Sequence, residues 1–171
     1  MNEQQIEAVV NGLQKAMRSE FEGYHFYMLA AQNTKDEKGQ DAFRRLAKDE
    51  FDHMNYLQAQ ADHIVKNHSP DERLTLKQIQ PFDGPNPIFS DDIKSRIKEA
   101  NYEMTVLSVG VQLELNAMQT YREMASKTYD KVVSGFYLDL ANFENSHYRM
   151  LVAQQDALKE AYWTANHFQP F

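Results

Sequence analysis

An all-α four-helix bundle is the fold the sequence predicts, and three observations predict it. Punctuation is sparse: 171 residues hold only six glycines and five prolines, and Pro81, Pro85 and Pro87 crowd into one short stretch. That pattern favours long helices over many short strands. Apolar residues recur at three- and four-residue steps, the period of an amphipathic helix. The chain also repeats itself, because a shift of 94 residues lays one half on the other at telling positions.

The elements follow in order. Residues 3 to about 34 read as helix one, with Leu13, Met17, Tyr24, Tyr27 and Ala31 along one face. Lys35 to Gly39 reads as the break, with Gly39 as its turn residue. Helix two is expected from about 40 to 66, with Phe43, Leu46, Leu57 and Ile64 inward, closing hairpin one over 3–66. Residues 67–90 open with His68-Ser69-Pro70 and end near the proline-rich run, and read as a long crossover. Neither half has an independent core, so one domain over 1–171 is expected. Ser90-Asp91-Asp92 marks a helix start, with acidic residues at the positive end of a dipole. Helix three then runs to about 127 and helix four from about 131 to 163, making hairpin two over 91–163. An aromatic tail, 164–171, is expected to dock on the bundle or on a second subunit. The order is up-down-down-up, since 24 crossover residues at about 3.3 Å each outreach a helix of roughly 45 Å.

Composition excludes several functions. There is no cysteine, which rules out disulfides, zinc ribbons and thiolate-bound iron and suits a reducing cytoplasm. The start, Met1-Asn2-Glu3-Gln4-Gln5, has neither the basic nor the apolar region of a signal peptide, and no run of 18 apolar residues occurs. A cytoplasmic protein without a membrane span is expected. A net charge of −7 argues against nucleic acid as a partner.

The repeat locates the chemistry. Glu20 falls on Glu114, Tyr27 on Tyr121, Leu46 on Leu140, Glu50 on Glu144, His53 on His147 and Leu57 on Leu151. Each half is thus a helical hairpin with Glu in its first helix and Glu-x-x-His in its second. The midpoint of Glu20 and Glu50 is residue 35 and that of Glu114 and Glu144 is residue 129, both at expected turns. The paired carboxylates therefore lie level with each other. All six polar residues sit on the apolar stripes, where an isolated ionised carboxylate is very unfavourable. Two divalent cations carry +4 against the −4 of the carboxylates and leave a neutral site. Carboxylate oxygen mixed with imidazole suits iron or manganese better than zinc. The i, i+3 spacing sets both ligands of each Glu-x-x-His on one helical face, and this ligand set is the one described for di-metal carboxylate bundles.

The runs Glu20-Phe21-Glu22-Gly23-Tyr24-His25-Phe26-Tyr27, Phe43 to His53 and Glu114 to Tyr121 resemble the ferritin-like superfamily, and within it the rubrerythrin-like branch. The resemblance implies that Glu50 and Glu144 bridge two iron ions, that Glu20 and His53 complete one ion and that Glu114 and His147 complete the other. It implies hydrogen bonds from Tyr27, and by symmetry Tyr121, to ligand carboxylates. It also implies that Asp49 orients an imidazole, although its repeat mate is Phe143. The expected activity is reduction of hydrogen peroxide or dioxygen by a homo-oligomer, a dimer or larger. Two departures matter. No cysteine-ligated rubredoxin domain is present, so an external electron donor is implied. Ala117 stands where that branch carries a further glutamate, the residue that its peroxidase-type ligand exchange uses. The rival readings are a ferritin-type iron-storage ferroxidase, a manganese catalase-like enzyme and a metal-free structural bundle.

Overall fold

A computed structural model describes residues 1–76 and 88–167. Four long helices form two antiparallel hairpins: α1 (Glu3–Asn33) with α2 (Glu37–Asn67), and, after the short α3 (Asp92–Ser95), α4 (Asn101–Lys127) with α5 (Lys131–Ala165). Together they make a ferritin-like four-helix bundle. The repeat extends into the turns. Thr34 and Thr128 end the first helix of each hairpin, and Asp36 and Asp130 cap the second, Asp36 accepting from the Gly39 N–H and Asp130 from those of Val132 and Val133. Capping of this kind satisfies donors that a helix start leaves without partners.

The crossover is held at both ends. Gln60, buried near the foot of α2, donates to the Asp71 carbonyl at 3.0 Å and accepts from the Asp71 N–H at 3.1 Å. Its repeat mate Gln154, buried in α5, accepts from the Ile88 N–H at 3.3 Å. Buried Asp36 accepts from the Ser90 N–H at 3.1 Å and from the Ser90 hydroxyl. Asp71 thus lies at the far end of hairpin one and Ser90 beside its turn, so the chain has travelled the bundle's length and α4 runs antiparallel to α1. The Pro81-to-Pro87 run and residues 168–171 of the aromatic tail lie outside the described residues.

Three local expectations need correction. Gly39 is not a turn residue; it lies in the first turn of α2, and its N–H donates to Asp36 at 2.8 Å. A Cβ there would stand 2.6 Å from the buried Phe89 ring, so the glycine serves close approach. The helix expected from residue 90 is interrupted, with α3 ending at Ser95, a 3₁₀ turn at Ile97–Glu99 and α4 starting at Asn101. Asp91 precedes α3 but makes no side-chain capping bond. Tertiary packing dominates here, since Ile88, Phe89, Ile93, Ile97 and Ala100 are all buried against the hairpins.

The interior has three layers. One apolar plug, at the turn of hairpin one, contains Phe43, Leu46, Phe89, Leu107 and Leu151. The other, at the turn of hairpin two and so at the opposite end, contains Leu13, Leu57, Ile64, Val133 and Leu140. Between them lies a polar layer. Among the described residues no helix is long and apolar enough to cross a membrane.

Candidate metal centre

The polar layer consists of Glu20, Glu50, His53, Glu114, Glu144 and His147, none more than 3% exposed. Each hairpin supplies three of them at one level, as equal distances from the turn require. His53 Nδ1 lies 3.3 Å from Glu20 Oε2, 3.4 Å from Glu50 Oε2 and 3.3 Å from Glu144 Oε1. His147 Nδ1 lies 3.4 Å from Glu50 Oε1, 3.6 Å from Glu114 Oε1 and 3.3 Å from Glu144 Oε2. Glu50 and Glu144 therefore each turn one oxygen to each histidine. The side chains form two overlapping sets, Glu20–Glu50–His53–Glu144 and Glu50–Glu114–Glu144–His147, with these two carboxylates shared.

The donor set fits metal ions on two grounds. Both oxygens of Glu144 and both ring nitrogens of His147 are buried without a hydrogen-bond partner, which buried polar atoms rarely are. The separations also suit a shared ion, because donors bound at about 2.1 Å stand roughly 3.0–3.4 Å from their neighbours.

Burial and the close approach of charged neighbours shift the proton affinity of all six groups. Burial, followed by the nearby Glu144 and Glu50 carboxylates, holds the Glu20 pKa well above the ordinary value. Burial and Glu50 do the same to Glu114. Burial also opposes ionisation of Glu50 and Glu144, but the facing histidines win and both stay below the usual carboxylate range. His53 and His147 are raised in turn: burial disfavours their charge, and Glu144 on one and Glu114 on the other overcome it. Neutral Glu20 and Glu114, ionised Glu50 and Glu144 and two imidazolium rings would sum to zero. Two divalent ions with four carboxylates and two neutral imidazoles also sum to zero, so loading exchanges protons for metal without a change in net charge.

Tyrosines reach the layer from either plug, each crossing to the other hairpin. Tyr27 of α1 donates to Glu114 of α4, and Tyr121 of α4 donates to Glu20 of α1. Each ring is stacked within its own hairpin, Tyr27 on Phe43 at 6.3 Å and Tyr121 on Tyr137 at 6.4 Å. Those partners, like Gln60 and Gln154, obey the 94-residue shift and could have been found from it. On the α1/α4 side a cavity of about 30 Å³ reaches the four carboxylates between Gly23 and its repeat mate Ala117, with Ser19 and Leu113 also lining it. The remaining histidines among the described residues, His25, His63, His68 and His167, belong to neither set.

Fold and site together define a ferritin-like bundle with a buried carboxylate–histidine cluster. The family model for rubrerythrin matches residues 11–154, and the chain belongs to that family. No curated protein and no solved structure matched in the other two comparisons.

Proposed function

We propose that the protein is a non-haem di-iron oxidoreductase that reduces hydrogen peroxide or dioxygen by two electrons. The observation that carries this reading is the pair of ligand sets sharing Glu50 and Glu144, with one oxygen of each toward either histidine. Glu20 and His53 would complete one ion, and Glu114 and His147 the other. Two iron ions held there would supply the two electrons needed to convert hydrogen peroxide and two protons into two waters.

The chain's own residues set the conditions. The apolar plugs keep bulk water from the layer, so its charges interact strongly. Burial and the Glu114 carboxylate push the Tyr27 pKa up, so its hydroxyl keeps its proton and remains a donor that fixes Glu114. The cavity between Gly23 and Ala117 holds about one water-sized molecule, which admits small oxidants. With no cysteine for a thiolate-bound iron, the electrons return from a separate donor.

Metal analysis of protein purified without chelators tests the proposal, together with consumption assays for peroxide and dioxygen. About two iron ions per chain and a turnover that Glu50→Ala abolishes are expected. Less than one ion per chain, or consumption indifferent to Glu50→Ala, would overturn it. Manganese in place of iron with oxygen evolved from peroxide would favour the catalase-like alternative.

A further inference from the structure

The ligand sets are matched across the two hairpins, but the groups behind the two histidines are not. His147 Nδ1 faces the carboxylates, while Nε2 lies 3.5 Å from Asp49 Oδ2, within ion-pair reach but not hydrogen-bonded to it. Asp49 is on α2 and His147 on α5, so the contact crosses between hairpins. The position that corresponds to Asp49 in hairpin two is Phe143. Its ring stands 5.3 Å from the His53 ring at a tilt of 60°.

A carboxylate behind an imidazole accepts its outer N–H and holds the tautomer whose inner nitrogen carries the lone pair. It also leaves that nitrogen a stronger donor. A phenyl ring does neither. We propose that the two metal positions are unequal and load in order, the Glu114–His147 position first, with Asp49 as the positioning residue that makes the difference. This rests on the proposed two-metal reading. It goes beyond that reading because two equal positions would serve the same overall reaction.

Titration of metal-free protein with cobalt(II), followed by ligand-field absorption, reads the two positions without turnover. Two resolved steps are expected, separated by roughly 10- to 100-fold in affinity, the usual effect of such an outer partner. Glu114→Ala should remove the tighter step and Glu20→Ala the weaker. Asp49→Ala should bring the tighter step down to the weaker one. Asp49→Asn, which keeps an accepting oxygen, should restore part of the gap. Phe143→Asp should act in the opposite sense and raise the weaker step toward the tighter. If Phe143→Asp fails to fold, the comparison of Asp49→Ala with Asp49→Asn still decides. Two ions bound with equal affinity, or a gap unchanged in Asp49→Ala, overturns the inequality and leaves the two-metal reading standing. Failure to bind two ions at all overturns both.

Discussion

The centre has two unlike sides. On the α2/α5 side stand the histidines, each nitrogen donor rising one turn beyond its glutamate, and behind them Asp49 and Phe143 close the layer. On the α1/α4 side stand Glu20 and Glu114, tied across the hairpins by Tyr121 and Tyr27, and beside them Gly23 and Ala117 leave a small cavity. The repeat makes the hairpins alike, so it cannot create this contrast. The contrast arises because first helices carry small residues next to their glutamate and second helices carry bulky or charged ones. Under the proposed function one side would hold ions and the other would admit a small molecule, and substitutions on either side should separate the two tasks.

The largest effect is expected on the holding side. Glu144→Ala removes an oxygen from both ligand sets at once, so metal affinity should fall by about 100-fold or more at both positions, since even outer partners are worth ~10–100-fold. Equilibrium dialysis against ferrous or cobaltous ion measures this. One position retained at full affinity would mean that Glu144 is not shared.

Next in size is the exchange of protons for metal. Glu20, Glu114, His53 and His147 all have raised pKa values, so up to four protons should leave as two divalent ions enter. Calorimetric titration in buffers of different ionisation heat counts them. The same shifts fix the pH dependence of the metal-free protein. A raised pKa means that the folded state binds the proton more tightly than the unfolded one. For Glu20 and Glu114 the stabilisation is complete below the ordinary 4.5 and is lost as pH rises through the folded values. For the histidines it is complete below 6.5 and is lost likewise above. Glu50 and Glu144 act oppositely, contributing above 4.5 and losing that contribution as pH falls. Metal-free melting temperatures should therefore decline as pH climbs past neutrality, and bound metal should remove the decline.

How much of this was legible in the sequence follows from where each partner lies. Glu20, Glu50, Glu114 and Glu144 could be set level by counting residues from each turn, because helical rise is uniform. The cross-hairpin choices of Tyr27 for Glu114 and Tyr121 for Glu20 could not, since spacing within a hairpin says nothing about which face meets the other hairpin. Gly39 is not decided by sequence, because a glycine next to a turn has two explanations, and only the position of Phe89, fifty residues on, separates them. The irregular backbone from Arg96 to Ala100 contains no proline or glycine and follows from burial of Ile93 and Ile97. By contrast, the clasps Gln60 and Gln154 were within reach of the 94-residue shift, because they repeat identically and sit two turns beyond each histidine.

On the admitting side, Ala117→Val puts two methyl groups into a space of about 30 Å³. That space takes roughly one water. Metal uptake should be unchanged, because Ala117 belongs to neither ligand set. Oxidant consumption by the loaded protein should fall by about tenfold or more, as displacement of a reactant by ~1 Å does. Azide, a small anion that competes for open metal positions, should bind more weakly in parallel, as read by its charge-transfer band.

The smallest effect is expected from Gly23→Ala, which makes the first hairpin identical to the second at this position. The new Cβ would lie 3.3 Å from Glu50 Cγ, tight but against a side chain that can yield by a few tenths of an ångström. Replacing a mid-helix glycine gains up to about 1 kcal/mol of helix preference, so the melting temperature should hold or rise slightly. Yet the methyl group narrows the cavity from the side opposite Ala117, and azide affinity should drop a few-fold while metal affinity stays the same. If azide binds Gly23→Ala and Ala117→Val as tightly as the parent protein, small molecules reach the ions by another route. The difference between the two sides would then be one of packing alone.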